Sequence, residues 1–189
     1  TATHLKKHHP EIKVGGYGAS GMYGIYYHPE RFGLTGVPAR EPDDRYKQDL
    51  YRVEFFNGFL EYIAEHQSPI DFFSWHIYTI HAEKMLDRAK KVADLLDEFG
   101  YGHIEKHLNE WNYIENWTTQ FIDSVRVIKG IKGAAYDFAF MAVGQNSPYI
   151  DMMMYYDARP DKEYNGLWDS HFILPLKGYY AFDFFSALY

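Results

Sequence analysis

The sequence predicts an α/β fold, a parallel sheet wrapped by helices, and three observations carry that expectation. Short runs rich in branched and aromatic residues alternate with longer stretches of helical period. Polar and aromatic residues gather just after the strand-like runs, where parallel sheets carry their chemistry. The chain has 189 residues, 47% of them hydrophobic, which suits one cored domain or part of a larger one.

Thr1 to His9 reads as the end of a helix, with Lys6, Lys7, His8 and His9 placed before Pro10 where a helix macrodipole favours cations. The chain thus reads as entered part-way through a strand and helix repeat. A strand of about five residues follows in 10–20 and runs into Gly15, Gly16 and Gly18. Those glycines fit either a backbone approached by a ligand or a bulge or tight turn. They do not form a dinucleotide fingerprint, because no helix follows them directly. Residues 21–45, rich in Gly, Pro and Tyr, read as one long irregular loop, and its aromatic content argues for order.

Leu50, Val53, Phe56, Phe59, Leu60 and Ile63 give Tyr46 to His66 a helical period after an Asp43-Asp44 start. Ile70 to Tyr78 then predicts a strand, and alternation puts His76 and Tyr78 on one face at its carboxyl end. A second amphipathic helix over Ala82 to Phe99 stops at Gly100. Lys106 to Asn112 predicts a buried strand with Glu110 at its end. Residues 118–144 predict one long or broken helix, with Gly130 and Gly133 at the break and Ala134, Ala135, Ala139 and Ala142 permitting close packing on a sheet. Pro148 to Asp157 predicts the last strand, a polar turn follows through Arg159 and Asn165-Gly166, and an aromatic helix closes the chain from about Lys177 to Tyr189.

The formal charge is -7 and the Lys and Arg residues are scattered, so no phosphate-tracking surface is indicated and nucleic acid is not an expected partner. Cys is 0, which removes disulfide scaffolds, thiolate nucleophiles and Cys-based zinc sites. No apolar run is long enough to span a bilayer and no signal peptide opens the chain. A membrane is therefore not expected as a partner, and the compartment stays open, with a secreted or periplasmic one suitable. His4, His8 and His9 lie close together, but Lys6 and Lys7 sit among them and no carboxylate triad accompanies them. Neither a metal nor a cofactor is called for. The aromatic share of 19% suits a cleft that stacks on sugars, although most of these rings are expected to fill the core.

Glu110 is the candidate catalytic residue. A carboxylate at the end of a buried strand is costly unless it is used, the plainer alternative being a cap on the following turn. His76 and Tyr78, on one face at the end of their own strand, are candidates to meet a ligand there. A lone strand His is otherwise a hydrogen-bonded core residue. Trp111 and Tyr156 are candidate faces for sugar rings. Asn112, Asp157 and Arg159 are candidates to hold hydroxyls, or to satisfy loop backbone instead.

The strand ends Gly-Gly-Tyr-Gly (15–18), Trp-His-Ile-Tyr (75–78), Leu-Asn-Glu-Trp-Asn (108–112) and Met-Tyr-Tyr-Asp (154–157) occur in that order. With them, the chain resembles the carboxyl-terminal half of a clan A glycoside hydrolase, family 39-like or family 5-like. The resemblance implies a TIM (β/α)8 barrel, with residues 1–189 supplying about strands 5 to 8. It also implies a retaining glycosidase acting on a β-linked glycan, with Glu110 as nucleophile supported by His76 and Tyr78. The family's acid/base Glu has no matching position here and is expected upstream, so the isolated chain is expected to be inactive. A complete barrel takes about 250 residues, and an open half would expose strand edges. The expected partners are therefore a carbohydrate substrate and either a missing amino-terminal half-barrel or a second copy of this chain. The alternative from another class is a noncatalytic carbohydrate-binding or self-assembling half-barrel module.

Overall fold

The computed structural model describes residues 1–20, 27, 29, 38–43, 46–117 and 120–188. Most of the loop expected over 21–45 lies outside them, as do Asp44 of the expected helix start, residues 118 and 119, and Tyr189. The elements are α1 (Ala2–His8), β1 (Gly15–Ala19), α2 (Tyr46–Glu65), β2 (Phe72–Tyr78), α3 (Lys84–Glu98), β3 (Glu105–Asn112), α4 (Phe121–Ile128), α5 (Ile131–Gln145), β4 (Met152–Tyr155) and α6 (Lys177–Ser186). The sheet has four strands in the order β1-β2-β3-β4, and β1 with β2 and β3 with β4 pair in parallel. Strand and helix alternate as the hydrophobic period predicts, and parallel neighbours need the helical crossovers that this order supplies. Among the described residues no helix is long and apolar enough to cross a membrane.

The chain divides into two compact units. The first holds Thr1–Trp75 and Lys90–Lys106, the second His76–Ala89 and His107–Tyr189. In the first unit, α2 buries Val53, Phe56, Leu60 and Ile63, and Phe56 meets Phe73 of β2 with ring centroids 5.0 Å apart. The expected strand sits later than its sequence reading, because the glycines lie inside β1 rather than in a loop after it. A Cβ on Gly15 would lie 2.1 Å from the Phe72 ring, so glycine here is a packing requirement between strands. The register also shifts between Gly15 and Gly18, which is the bulge reading of this stretch. At the end of α3, Gly100 takes φ +83, Tyr101 N–H donates to the Leu96 carbonyl at 2.7 Å and Gly100 N–H to the Asp97 carbonyl at 2.9 Å. That pair of bonds closes the helix in a Schellman motif and turns the chain toward β3.

In the second unit the helix expected as long or broken is two helices, with the break at Gly130, which adopts extended backbone at the N-cap of α5. The alanines do not form the packed stripe expected of them. Ala134 is buried, but Ala135 and Ala139 are exposed, because the buried face of α5 runs through Gly133, Tyr136, Asp137, Phe140, Met141 and Gly144. β4 is shorter than the predicted strand, pairing only from Met152 to Tyr155. Trp111 stacks on Phe140 of α5 at 4.4 Å, and Tyr155 meets Phe182 of α6 at 5.2 Å. Those contacts put one face of β3 and β4 against the two helices.

Asp137 is 1% exposed, its Oδ2 has no hydrogen-bond partner, and burial pushes its carboxyl up to about 8. The folded protein therefore holds a proton that the unfolded chain releases above about pH 4. Stability from this group is whole below that value and falls as pH rises toward 8, by on the order of 1 kcal/mol per unit. Asp137→Asn keeps the shape without the charge. Urea denaturation from about pH 3.5 to 9 is expected to show the variant matching the parent at the acid end and increasingly exceeding it toward pH 8.

Candidate active site

β2 and β3 deliver the site from their carboxyl ends. In β2, Phe73, Trp75 and Ile77 are buried while His76 and Tyr78 stay half-buried, as strand alternation requires. β3 departs from strict alternation. Leu108 pairs with Met153 and Trp111 with Tyr155, so Asn109 and Glu110 together oppose the single residue Met154. This bulge keeps both Leu108 and Trp111 on the buried face and frees the Glu110 side chain, which is 25% exposed. Glu110 is accordingly not the last strand residue, because β3 continues through Asn112.

The Tyr78 hydroxyl donates to Glu110 Oε1, and His76 Nδ1 lies 3.6 Å from Glu110 Oε2. The second distance is too long for a hydrogen bond, and it sets the imidazole edge beside the carboxylate. Burial, and after it the bond to Glu110, holds the Tyr78 phenol far above its ordinary range, so it stays a neutral donor. Burial lowers the His76 imidazole while Glu110 opposes that shift, and the net direction leaves it uncharged at neutral pH. Both groups can orient a carboxylate or a sugar hydroxyl without adding charge.

Rings that the sequence did not single out surround this pair. Trp117 meets Tyr78 edge-on at 5.1 Å and stacks with Phe121 at 5.8 Å. Tyr164 lies 5.8 Å from Tyr78 and 5.3 Å from Tyr156, and burial, Tyr156 and Glu110 push its phenol up to about 12. Trp117 is 41% exposed, so it has indole surface to offer a ligand. The available signals were its place on the loop directly after the Glu110 strand and the position of Tyr164 beside the Asn165-Gly166 turn.

Three candidates have other work. Trp111 is 1% exposed and packed against Phe140, because the bulge turns it to the helices; it offers no face to a sugar. Asn112 is fully buried and donates to the backbone carbonyls of Tyr156 and Tyr164. Asp157 is 6% exposed, accepts from the Arg159 backbone N–H at 3.0 Å and from Arg159 Nη2 at 2.7 Å, and so closes a turn. Tyr156 remains beside Tyr164, its hydroxyl accepting from Arg159 at 3.3 Å. Among the described residues no group of three His, Asp or Glu side chains could hold a metal ion.

No family model matches the chain. Over 166 residues it is 26% identical to the β-xylosidase of Geobacillus stearothermophilus, a match covering 71% of this chain and 31% of that protein. The chain resembles the clan A glycoside hydrolases of family 39. Its fold is that of a family 39 β-xylosidase from Caulobacter crescentus, with TM-score 0.62, 16% identity and 99% of this chain covering 35% of that one. A glucosidase from Croceicoccus marinus matches with TM-score 0.56 and 22% identity, over 87% of this chain and 28% of the other. The chain thus spans about a third of the length of these relatives, and its four-stranded parallel sheet with helices matches part of the TIM-barrel fold of the family 39 neighbours. The relatives in this family 39-like group are glycosidases, which fits a site at the carboxyl ends of parallel strands.

If Trp111 serves the core, Trp111→Ala should cost about 3–5 kcal/mol in urea denaturation. A cost under about 1 kcal/mol would return the indole to the ligand side.

Proposed function

We propose that residues 1–189 are the carboxyl-terminal half-barrel of a retaining glycoside hydrolase that cleaves a β-linked glycan, with Glu110 as nucleophile. The observation that carries this reading is the Glu110 carboxylate held between the Tyr78 phenol and the His76 imidazole. Tyr78 occupies Oε1 and leaves Oε2 to attack the anomeric carbon. In the first step the Glu110 oxygen bonds to that carbon as the glycosidic C–O bond breaks, and an acid protonates the departing oxygen. In the second, water deprotonated by the same group attacks the glycosyl ester, releasing the sugar with retained configuration and restoring the carboxylate.

The acid/base carboxyl belongs to the amino-terminal half, about 5–5.5 Å from Glu110 in a retaining site. Asn-Glu occurs here only at Asn109-Glu110, so the chain has no second copy of the motif to supply it. The need for a covering half is supported by β4, the last strand in the sheet order, where Met152 and Met154 are 45% and 40% exposed. Trp117, Tyr156 and the imidazole of His76 would contact the sugar, the rings through their faces. The 26% identity to a β-xylosidase makes a β-xyloside the first substrate to try.

In the full-length protein, Glu110→Gln is expected to lower kcat on an aryl β-xyloside by about 10^4-fold or more, with the fold intact by circular dichroism. Unchanged turnover would reject Glu110 as nucleophile. Sugar binding without turnover in the parent protein would instead favour a noncatalytic carbohydrate-binding module.

A further inference from the structure

Asn112 was a candidate for touching substrate, yet it has no exposed surface. Its side chain is fully committed elsewhere. Nδ2 donates both to the Tyr156 carbonyl and to the Tyr164 carbonyl, the latter at 2.8 Å, while Oδ1 accepts the Tyr113 backbone N–H at 2.7 Å. Its backbone carbonyl in turn lies 3.4 Å from both the Thr79 N–H and the Tyr136 hydroxyl. Asn112 therefore stands two residues beyond Glu110, one residue beyond Tyr78 through Thr79, and directly behind the two other tyrosines of the site. An amide has two donor hydrogens, and here each serves one of two carbonyls that β-sheet pairing does not satisfy.

We propose that Asn112 is a positioning residue that fixes Tyr156 and Tyr164 against the Tyr78–Glu110 pair, setting the site's geometry without touching the substrate. The 156–169 segment is the part it restrains. That segment has its own internal lock, since Asn165 is fully buried, donates to the carbonyls of Pro160 and Trp168, and accepts from the backbone N–H groups of Leu167 and Trp168. Lys129 Nζ adds a bond to the Asn165 carbonyl at 2.9 Å. The lock makes the segment stiff, and the Asn112 amide joins that stiff piece to the strand that carries Glu110. Severing the join would let two rings drift as a unit, and displacements of about 1 Å can cost roughly 10^2-fold in rate.

This inference rests on Glu110 being the nucleophile, and the test separates the two. In the full-length protein, Asn112→Asp replaces the donor amide by a carboxylate facing two carbonyls. Its kcat/KM on an aryl β-xyloside is expected to fall about 100-fold at pH 8 relative to the parent. At acid pH the same side chain regains one O–H donor, so the ratio of variant to parent should rise several-fold between pH 8 and pH 5. Taking the ratio removes the pH dependence common to both proteins. Should Asn112→Asp fold poorly, Asn112→Ser, a smaller side chain with one donor, supplies the second measurement and should lose kcat by about 10-fold or more at unchanged far-ultraviolet circular dichroism. A pH-independent ratio, or a loss of rate that only tracks loss of folded protein, overturns the proposal. So does activity within twofold of the parent in a folded Asn112→Ser. If Glu110→Gln is inactive while the Asn112 variants are unimpaired, only this inference fails; a fully active Glu110→Gln removes the reading beneath it.

Discussion

A neutral phenol donating to a carboxylate across two neighbouring strand ends is the interaction on which the rest of the structure depends. Tyr78 ends β2, Glu110 lies near the end of β3, and the two strands are neighbours in the sheet, so the bond follows from backbone register rather than from a flexible loop. A carboxylate this close to the interior needs such a donor, because an unpaired buried charge is expensive. Burial keeps the phenol protonated, which makes the donor permanent over any working pH. His76 adds a second neighbour without adding charge.

The bulge in β3 makes the arrangement possible. Parallel strands with helices on one face must bury long apolar runs there, and Leu108 and Trp111 are both buried, Trp111 packing with Phe140 and Phe182. Without an extra residue, Leu108 and Glu110 would share a face and Trp111 would point the other way. Inserting two residues opposite one satisfies the core and the site together. Core packing and the candidate site thus meet in a span of four residues, with the indole held by the helices and the carboxylate released from them.

Most of the architecture was legible because it follows from hydrophobic period and from stop residues with a mechanism. The helix over Tyr46–Glu65 shows its buried stripe in the sequence, and Gly100 ends α3 in the left-handed conformation that glycine favours. His76 and Tyr78 were legible as a pair because alternation puts them on one face of a strand end, and the resemblance implied their place beside Glu110. Trp111 was misjudged because a single-residue bulge leaves no trace in composition and reverses every later side chain. For Asn112 and Asp157 the sequence left ligand and loop backbone as alternatives, because an amide or carboxylate after a strand serves either, and the positions of the Tyr156 and Tyr164 carbonyls and of Arg159 favour the backbone. The Gly15-Gly16 pair answers to aromatic rings from distant segments, which no local pattern reveals.

The central claim is that the Glu110 carboxylate becomes covalently bonded to a sugar, and direct trapping tests it. The full-length protein would be treated with an activated 2-deoxy-2-fluoro-β-xyloside, which forms the glycosyl ester quickly and hydrolyses it slowly, then digested and sequenced by mass spectrometry. The account predicts one added fluorosugar on the peptide containing Leu108-Asn109-Glu110-Trp111, attached at Glu110. A label on a different carboxylate, or brisk turnover of the unmodified xyloside with no label anywhere, would contradict it.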